Sequence, residues 1–243
     1  MPFALAAVRT LLTALILSTY VLVLGPPAIL WTLITRNGRF IYGAGALGVR
    51  ISFAIAGIRV RVLGGEHILR GHAAVYAANH TSNLEPPALF IALRGLHPRL
   101  RVLYKAEMRR IPMLVWVFDA GGFVPIERGD RDRSHAAVDR ASQALREGAS
   151  FLIFPEGTRS RTGELLPFKK GGIIMAINAQ VPIVPVAVSG AGAAMRKGSP
   201  LIWPATITVE FAPPVATAGL TFERRDEVVS AVRAAIEARR PVC

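Results

Sequence analysis

The chain of 243 residues is long enough to bury a substantial core but short for two full domains. Hydrophobic residues make up 52% of it and the mean hydropathy is +0.41, which is high for a soluble protein and favours contact with a lipid bilayer. The single cysteine is Cys243, so the composition excludes a disulfide framework within the chain and favours a reducing compartment.

The formal net charge of +13 is carried almost entirely by arginine, because lysine occurs only at positions 105, 169, 170 and 197. A basic surface attracts anionic phospholipid headgroups and phosphorylated substrates, which is our first interpretation. A compositional bias toward arginine and alanine ranks close behind. Nucleic acid ranks last, because the arginines are scattered and form no basic helix or aromatic-studded sheet motif. We therefore predict membrane lipids, and no nucleic acid, as partners.

The N-terminal part of the chain is strongly apolar. Residues 10–35 contain no charge, but the sequence Gly-Pro-Pro at 25–27 is expected to divide them into helices at 11–24 and 28–34. A second apolar stretch covers residues 41–58. Two interpretations stay open: short helices that dip into one leaflet, or one bent helix that spans the membrane.

The distribution of arginine predicts an orientation if this region spans. Arg36, Arg39 and Arg50 outweigh Arg9, so the remainder of the chain is expected on the cytoplasmic face of the cell membrane. A cleaved signal peptide is not expected, because Gly-Pro-Pro rather than a small-x-small cleavage site follows Leu24.

From about residue 59 onward, short strand-like runs alternate with helical ones. A helix is predicted at 134–147, where Ser134 is expected to cap the start and Gly148 to end it, and another at 223–240. Alternating strands and helices indicate an α/β domain around a largely buried sheet, so we divide the chain into segments 1–58 and 59–243. The strands are predicted at residues 73–78, 100–104, 150–154, 183–188 and 206–211.

The sharpest local motif is Asn-His-Thr-Ser-Asn-Leu-Glu-Pro-Pro at 79–87, directly after a predicted strand. His80 and Glu85 can meet only if the chain turns between them, and Ser82-x-x-Glu85 is a capping-box pattern that would open a helix there. Glu85 then either accepts the ring N–H of His80 and fixes its tautomer, or bonds the backbone at the helix start. Taken alone, His80 fits a structural histidine better than a catalytic one.

A second motif, Phe-Pro-Glu-Gly-Thr-Arg-Ser, occupies residues 154–160 after another predicted strand. Gly157 allows backbone N–H groups to approach a ligand, and Thr158 and Arg159 add a hydroxyl and a planar cation. This combination suits a phosphate, although an isolated Glu-Gly-Thr-Arg is also common as a polar turn with a solvated arginine.

Two further segments carry weaker signals. Lys105 and Arg128 bracket an apolar helical run at 111–116, which fits either a site for a phosphate and its acyl chain or surface cations around a core helix. Residues 181–188 are predicted as a buried strand with prolines at its entrance, serving as structure or as one wall of a hydrophobic slot.

Together, and in this order, the four segments resemble those of the phospholipid and glycerol acyltransferase family, typified by 1-acylglycerol-3-phosphate acyltransferases. The resemblance runs from about residue 68 to 189. It implies a mostly buried mixed sheet flanked by helices, with a hydrophobic membrane-embedded N-terminal segment. The chain departs from the family at Glu85, where aspartate is usual, and at Val115, where glycine is frequent.

The resemblance also implies an activity. A fatty acyl group would pass from acyl-CoA or an acyl-carrier protein to the free sn-2 hydroxyl of 1-acylglycerol-3-phosphate, giving phosphatidic acid without a metal or cofactor. By resemblance, His80 is the general base and Glu85 holds its imidazole. The phosphate-binding residues implied are Glu156, Gly157, Thr158, Arg159, Lys105 and Arg128.

Three alternatives remain at this stage. The acceptor can be another lysolipid, such as a lyso-ornithine lipid, or the chain can be a non-catalytic membrane-binding protein of the same fold. A metal hydrolase that uses His80 and Glu85 is disfavoured, because the sequence offers no spaced set of further histidine ligands. The donor, the preferred acyl length and the oligomeric state are left open.

Overall fold

The computed structural model describes residues 3–110, 112–127 and 131–240; the side chains of 112–114 and 131–133 are not described. The helices in this part of the chain are α1 Phe3–Thr35, α2 Arg39–Ala56, α3 Glu85–Ala92, α4 Pro112–Ala120, α5 Arg131–Arg146, α6 Gly171–Ala179, α7 Ala191–Ala194 and α8 Arg225–Glu237. The strands are β1 Ile58–Leu63, β2 Val75–Ala78, β3 Leu100–Lys105, β4 Val124–Ile126, β5 Ser150–Ile153, β6 Ile183–Ser189 and β7 Ala205–Phe211.

The described strands form one sheet in the order β1-β7-β6-β2-β5-β3-β4. All neighbours run parallel except β6 and β7, so the sheet is mixed. Strands β2 and β5 are buried along their whole length, because helices cover both faces of the central sheet. The predicted fold class, an α/β protein with a mostly buried mixed sheet, is confirmed.

Alternate residues of the central strands face two separate hydrophobic layers. Tyr76 and Ala78 pack with side chains of α2, α3 and α7, whereas Val75 and Ala77 pack with those of α5, α6 and α8. Successive side chains of β2 thus point to opposite faces of the sheet, and each of these helices packs on one face. Because each face is covered, the carboxyl-terminal edge of the strands is where polar side chains meet solvent.

All five predicted strands are present, and β1 and β4 are additional. The prediction that Ser134 caps a helix is wrong: α5 begins three residues earlier, at Arg131, and the Ser134 hydroxyl donates to the carbonyl of Glu127. The C-terminal helix begins at Arg225 after a 3-10 turn at Phe222–Arg224. These differences concern helix ends, where local side-chain bonds rather than apolar periodicity decide the boundary.

The predicted break at Gly-Pro-Pro is also wrong, because α1 continues through Pro26 and Pro27 to Thr35. Proline has a φ angle compatible with a helix but lacks the N–H of one intrahelical bond. Ala28 and Ile29, directly after the prolines, are buried. Packing of these residues holds the helix together where the backbone bonds are missing.

Helices α1 and α2 form an antiparallel hairpin. The Tyr20 hydroxyl donates to the carbonyl of Ala44 at 2.7 Å, and the rings of Trp31 and Phe40 lie 6.3 Å apart near the turn. Gly48 allows the close approach, since a Cβ there would lie 2.8 Å from the Tyr20 ring. The absence of a side chain at this position therefore sets the spacing of the two helices.

The α1–α2 hairpin lies along the domain and does not project from it. At the start of α2 the Tyr42 hydroxyl donates to the carbonyl of Gly121 at 3.2 Å, and also to that of Leu100. At its end, Phe53 and Ala56 are buried in the core. Within the described residues, α1 and α2 are long and apolar enough to cross a membrane by length and composition.

Candidate active site

A side-chain bridge sets the position of His80 at the carboxyl end of β2. Asn79 donates from Nδ2 to the carbonyl of Val188 at 2.9 Å and accepts the Val188 N–H on Oδ1 at 2.7 Å. The amide thus continues the pairing of β2 with β6 for one residue after the backbone ladder ends. The chain then turns away from the sheet, and His80 is the first residue beyond this bridge.

His80 and Glu85 lie in direct contact. The His80 Nδ1 is 2.7 Å from Glu85 Oε2, and the Thr81 N–H and hydroxyl donate to the same carboxylate at 2.9 and 2.6 Å. The Glu85 side chain is fully buried, whereas 16% of the His80 side chain is exposed. A buried carboxylate held by three donors fixes the ring orientation and leaves Nε2 as the nitrogen available for chemistry.

The turn between the two residues differs from the predicted capping box. Leu84 precedes α3 without a side-chain cap. The Ser82 hydroxyl accepts the Leu84 N–H at 3.3 Å and donates to the carbonyl of Met195 at 2.8 Å. Glu85 bonds the imidazole of His80 and the backbone of Thr81, so the two roles considered for it from the sequence occur together.

The motif at 154–160 follows β5 and lies against the His80 turn. The Phe154 ring stacks on the imidazole of His80 with centroids 4.2 Å apart, and the Ser160 N–H donates to the His80 carbonyl at 2.7 Å. Gly157 has a φ of +67°, which favours glycine, and a Cβ there would lie 2.9 Å from Lys169 Cε. The two motif loops therefore form one unit at the edge of the sheet.

Glu156 does not occupy the position expected of a phosphate-binding residue. Its side chain is 3% exposed, and its carboxylate accepts the N–H groups of His80 at 2.6 Å and Leu166 at 2.9 Å. Burial raises the pKa of Glu156, the two backbone N–H groups oppose that rise, and nearby Glu85 adds to it. The prediction that Glu156 binds the phosphate is corrected: its carboxylate holds the backbone that carries His80.

Five of the candidate residues line one cavity of about 1140 Å³. Arg128 lies outside the described residues, and Lys105 has its Nζ 3.0 Å from Glu107 Oε1. Glu85 is buried beside the imidazole and is not part of the cavity wall. The candidate site residues that line the cavity are His80, Lys105, Gly157, Thr158 and Arg159.

Away from these polar groups, apolar side chains dominate the cavity wall. They come from α2, α3 and α4, namely Ile41, Val49, Phe90, Val117 and Phe118. The cavity is larger than most small-ligand pockets, which hold about 300–1,000 Å³. Its lining, which combines cations with many apolar side chains, suits a compound with an anionic group and a long apolar part.

Sequence reasoning did not identify the contribution of α2 to this cavity. Ile41, Gly45 and Val49 follow one another at intervals of four and all line it, so they share one face of α2. That periodicity was a usable signal, but the apolar stretch was read only as a membrane segment. Lys169 also lines the cavity. Within the described residues, no group of three or more His, Cys, Asp or Glu is placed to hold a metal ion.

The fold and the site together define an α/β protein with a histidine–carboxylate pair beside a cavity. That cavity is lined by cationic side chains and by many apolar ones. The family model described as Acyltransferase matches residues 59–189, more than half of the chain. The chain therefore belongs to the acyltransferase family, as its motifs predicted.

Curated relatives and a solved structure agree with this assignment. The chain is 34% identical over 182 residues to a 1-acyl-sn-glycerol-3-phosphate acyltransferase of Limnanthes douglasii, covering 73% of this chain and 62% of that protein. It is 31% identical over 195 residues to the human 1-acyl-sn-glycerol-3-phosphate acyltransferase beta, covering 78% and 68%. The chain thus spans about three fifths of the length of the first of these. The crystal structure of the 1-acyl-sn-glycerophosphate acyltransferase PlsC from Thermotoga maritima shares the fold, with a TM-score of 0.79, 24% identity and 98% of both chains covered.

Proposed function

We propose that this protein transfers a fatty acyl group from an acyl thioester to the free sn-2 hydroxyl of 1-acylglycerol-3-phosphate, giving phosphatidic acid for phospholipid synthesis. The observation that carries the proposal is the shared cavity, in which the imidazole of His80, the cations Arg159 and Lys105 and an apolar end are all present. The names of the relatives above support the choice of acceptor.

The geometry of His80 suggests how the transfer proceeds. The Nδ1–H group donates a hydrogen bond to the Glu85 carboxylate, so Nε2 carries the lone pair that takes the proton from the acceptor hydroxyl. The hydroxyl oxygen attacks the thioester carbonyl and forms the new ester bond as the carbon–sulfur bond breaks. The proton on Nε2 then passes to the departing thiolate, which leaves as the free thiol of CoA or of the carrier protein. Glu85 stabilises the imidazolium between these two steps.

The acceptor phosphate is assigned to Gly157, Thr158 and Arg159, with Lys105 beside it. Thr158 is exposed at the cavity wall, and Gly157 lines the same wall beside it. A planar guanidinium pairs with two phosphate oxygens at once. Arg128 stays a predicted helper from the sequence alone. A thioester is already activated, so the reaction calls for no metal or cofactor.

The hairpin supplies the contact with the membrane in this proposal. Only 6% of the most apolar window of α1 is buried. Because α2 is attached to the domain at both ends and α1 lies on α2, the hairpin presents an apolar face along one side of the protein. We place this face in one leaflet, with the catalytic domain on the cytoplasmic side. The wall that α2 contributes to the cavity then lies where lipid substrates enter.

An assay of the purified full-length chain in lipid vesicles tests the proposal. Lysophosphatidic acid is supplied with acyl-CoA or with acyl-carrier protein, and phosphatidic acid is measured beside a His80→Ala blank. We expect product with at least one donor, and none above background in the blank. A panel of lysolipids that includes lyso-ornithine lipid is run in parallel. If another acceptor is used and lysophosphatidic acid is not, the acceptor assignment is wrong; if none is acylated with either donor, so is the catalytic assignment.

A further inference from the structure

A segment beyond the matched family region contacts both motif loops. Residues 191–197, here called the bridging segment, consist of α7 and the three residues that follow it. They follow β6 directly, whereas the family model ends at residue 189. Ala191 and Ala194 are buried in the layer formed with α2 and α3, so the sheet fixes the start of the segment.

The first contact of the bridging segment is with the turn that holds His80. The Ser82 hydroxyl donates to the carbonyl of Met195 at 2.8 Å. Gly192 lies beside Thr81, since a Cβ on Gly192 would be 3.4 Å from Thr81 Oγ1. The same Thr81 hydroxyl donates to Glu85, so the bridging segment contacts a residue that hydrogen-bonds the Glu85 carboxylate.

The second contact is with the motif loop that carries Arg159. Lys197 donates from Nζ to the carbonyl of Arg159 at 2.7 Å. A bond from a charged donor is stronger than a neutral one, and it acts here on the peptide group of the residue assigned to the phosphate. The next N–H along the chain, that of Ser160, donates to the His80 carbonyl. Lys197 therefore braces the Arg159 peptide at a point where the loop also meets the base.

Lysine is a rare residue in this chain, and Lys197 is one of few. The chain has only four lysines among 29 basic residues, and two of them, Lys105 and Lys169, line the cavity. Lys197 is not part of the cavity wall, so it reaches the site through the Arg159 carbonyl and not through direct contact with the cavity. A flexible ammonium with three donors suits a single carbonyl better than a guanidinium does.

We propose that Lys197 is a positioning residue that holds the Arg159 loop in the conformation that binds the acceptor phosphate. The inference rests on the proposed function for the nature of the acceptor, but the bracing of the loop is independent of it. Without the ammonium, the loop still bonds His80 through Glu156 and Ser160 but loses the bond at the Arg159 carbonyl. The expected defect is weaker acceptor binding with intact acid–base chemistry.

Lys197→Met tests this with two readouts. Amide hydrogen exchange of the substrate-free protein should become faster in peptides covering 157–161, because the loop opens more often. The KM for lysophosphatidic acid should rise about tenfold while kcat changes less than about twofold, as expected for lost binding alone. Arg196→Met is the matched control: it removes the same charge from the neighbouring residue, whose side chain is exposed and makes no hydrogen bond within the described part of the chain. Lys197→Arg should restore part of both readouts.

The outcomes separate the two proposals. Unchanged exchange in Lys197→Met, or equal effects of Lys197→Met and Arg196→Met, would overturn the positioning role. A change in kcat with KM unaffected would overturn it as well. If the wild-type chain does not acylate lysophosphatidic acid but Lys197→Met alone speeds exchange in 157–161, the loop role stands and the acceptor assignment fails. A melting temperature measured for each variant separates local loosening from global unfolding, and Lys197→Arg supplies the comparison if Lys197→Met does not fold.

Discussion

Two histidines of this protein have similar aromatic neighbours but opposite surroundings. The ring of His80 lies 4.2 Å from that of Phe154, and the ring of His97 lies 4.3 Å from that of Phe90. His80 has a carboxylate on one nitrogen and the cavity beside the other. His97 has no acidic partner in the described part of the chain, and its Nε2 is buried without a hydrogen bond.

The difference in surroundings bears on the proposal that His80, and not His97, is the base. Burial lowers the pKa of His97 to about 4, an effect that its bond to the Phe90 carbonyl only partly opposes. Such a ring stays neutral near pH 7, and its buried Nε2 has no hydrogen-bond partner among the described residues with which to exchange a proton. His80 combines a fixed tautomer with an accessible Nε2. Geometry, more than residue type, therefore distinguishes the two, and the following predictions probe that distinction.

The largest effect is expected from His80→Ala. Positioned acid–base catalysis contributes about 10²–10⁴-fold, so kcat should fall by that factor. His97→Phe is the matched variant, because it keeps a ring beside Phe90 and Tyr42 and should leave kcat within about threefold. Initial rates with purified protein measure both. Sedimentation with vesicles should show equal membrane association of the two variants, and comparable losses of kcat would remove the distinction between the two rings.

The next effect is expected from Glu156→Gln. The carboxylate accepts two backbone N–H groups, whereas a carboxamide offers one acceptor and would turn its NH₂ toward the other donor. Since a hydrogen bond to a charged group is worth about 1.5–3 kcal/mol, we expect kcat to fall roughly tenfold or more as the His80 backbone relaxes. The KM for the acceptor should change little if Glu156 does not contact the phosphate.

Glu164→Gln is the control for this experiment, because Glu164 lies in the same loop with its side chain exposed. A rise in KM without a fall in kcat in Glu156→Gln would restore the direct phosphate contact that the sequence suggested. Kinetics at saturating donor separate the two outcomes.

The sequence predicted the placement of polar residues in the fold well where they follow a strand. His80 and Arg159 each come a few residues after a buried apolar run, and parallel strands bring their carboxyl ends to one edge. The role of Glu156 was not predictable in the same way. A glutamate beside Gly-Thr-Arg looks like part of a polar ligand site. Only the fold shows that its carboxylate accepts the N–H groups of His80 and Leu166, which are 76 and 10 residues away in sequence.

The N-terminal hairpin shows the same limit. Pro26 and Pro27 predict a break by local rules, yet tertiary packing of the next turn keeps α1 continuous. The cavity wall on α2 likewise depends on which face of that helix meets the sheet. Apolar content alone cannot distinguish the side of a helix that faces lipid from the side that lines a substrate cavity.

A smaller effect is expected from Arg159→Met. Loss of one guanidinium should raise the KM for lysophosphatidic acid about tenfold, while His80 and Glu85 keep their contact and kcat changes little. Arg161→Met is the control, since Arg161 is exposed two residues further along and is not part of the cavity wall. Equal KM values for the two variants would show that the charge of the region, and not the position of Arg159, binds the acceptor.

The smallest effect concerns the pH dependence of stability that His97 contributes. The folded state disfavours protonation of His97, whose pKa of about 4 lies below its ordinary value of 6.5. Above pH 6.5 the residue is neutral in both states and its contribution to stability is fully present. As pH falls toward 4 the unfolded chain binds a proton that the folded chain does not bind, and this contribution is lost.

The melting temperature of the wild-type chain should therefore fall more between pH 7.5 and pH 5 than that of His97→Phe. The raised pKa of Glu156 acts in the opposite direction but is common to both proteins, so the difference between them isolates His97. Parallel curves would mean that His97 titrates normally and that its burial does not separate it from His80.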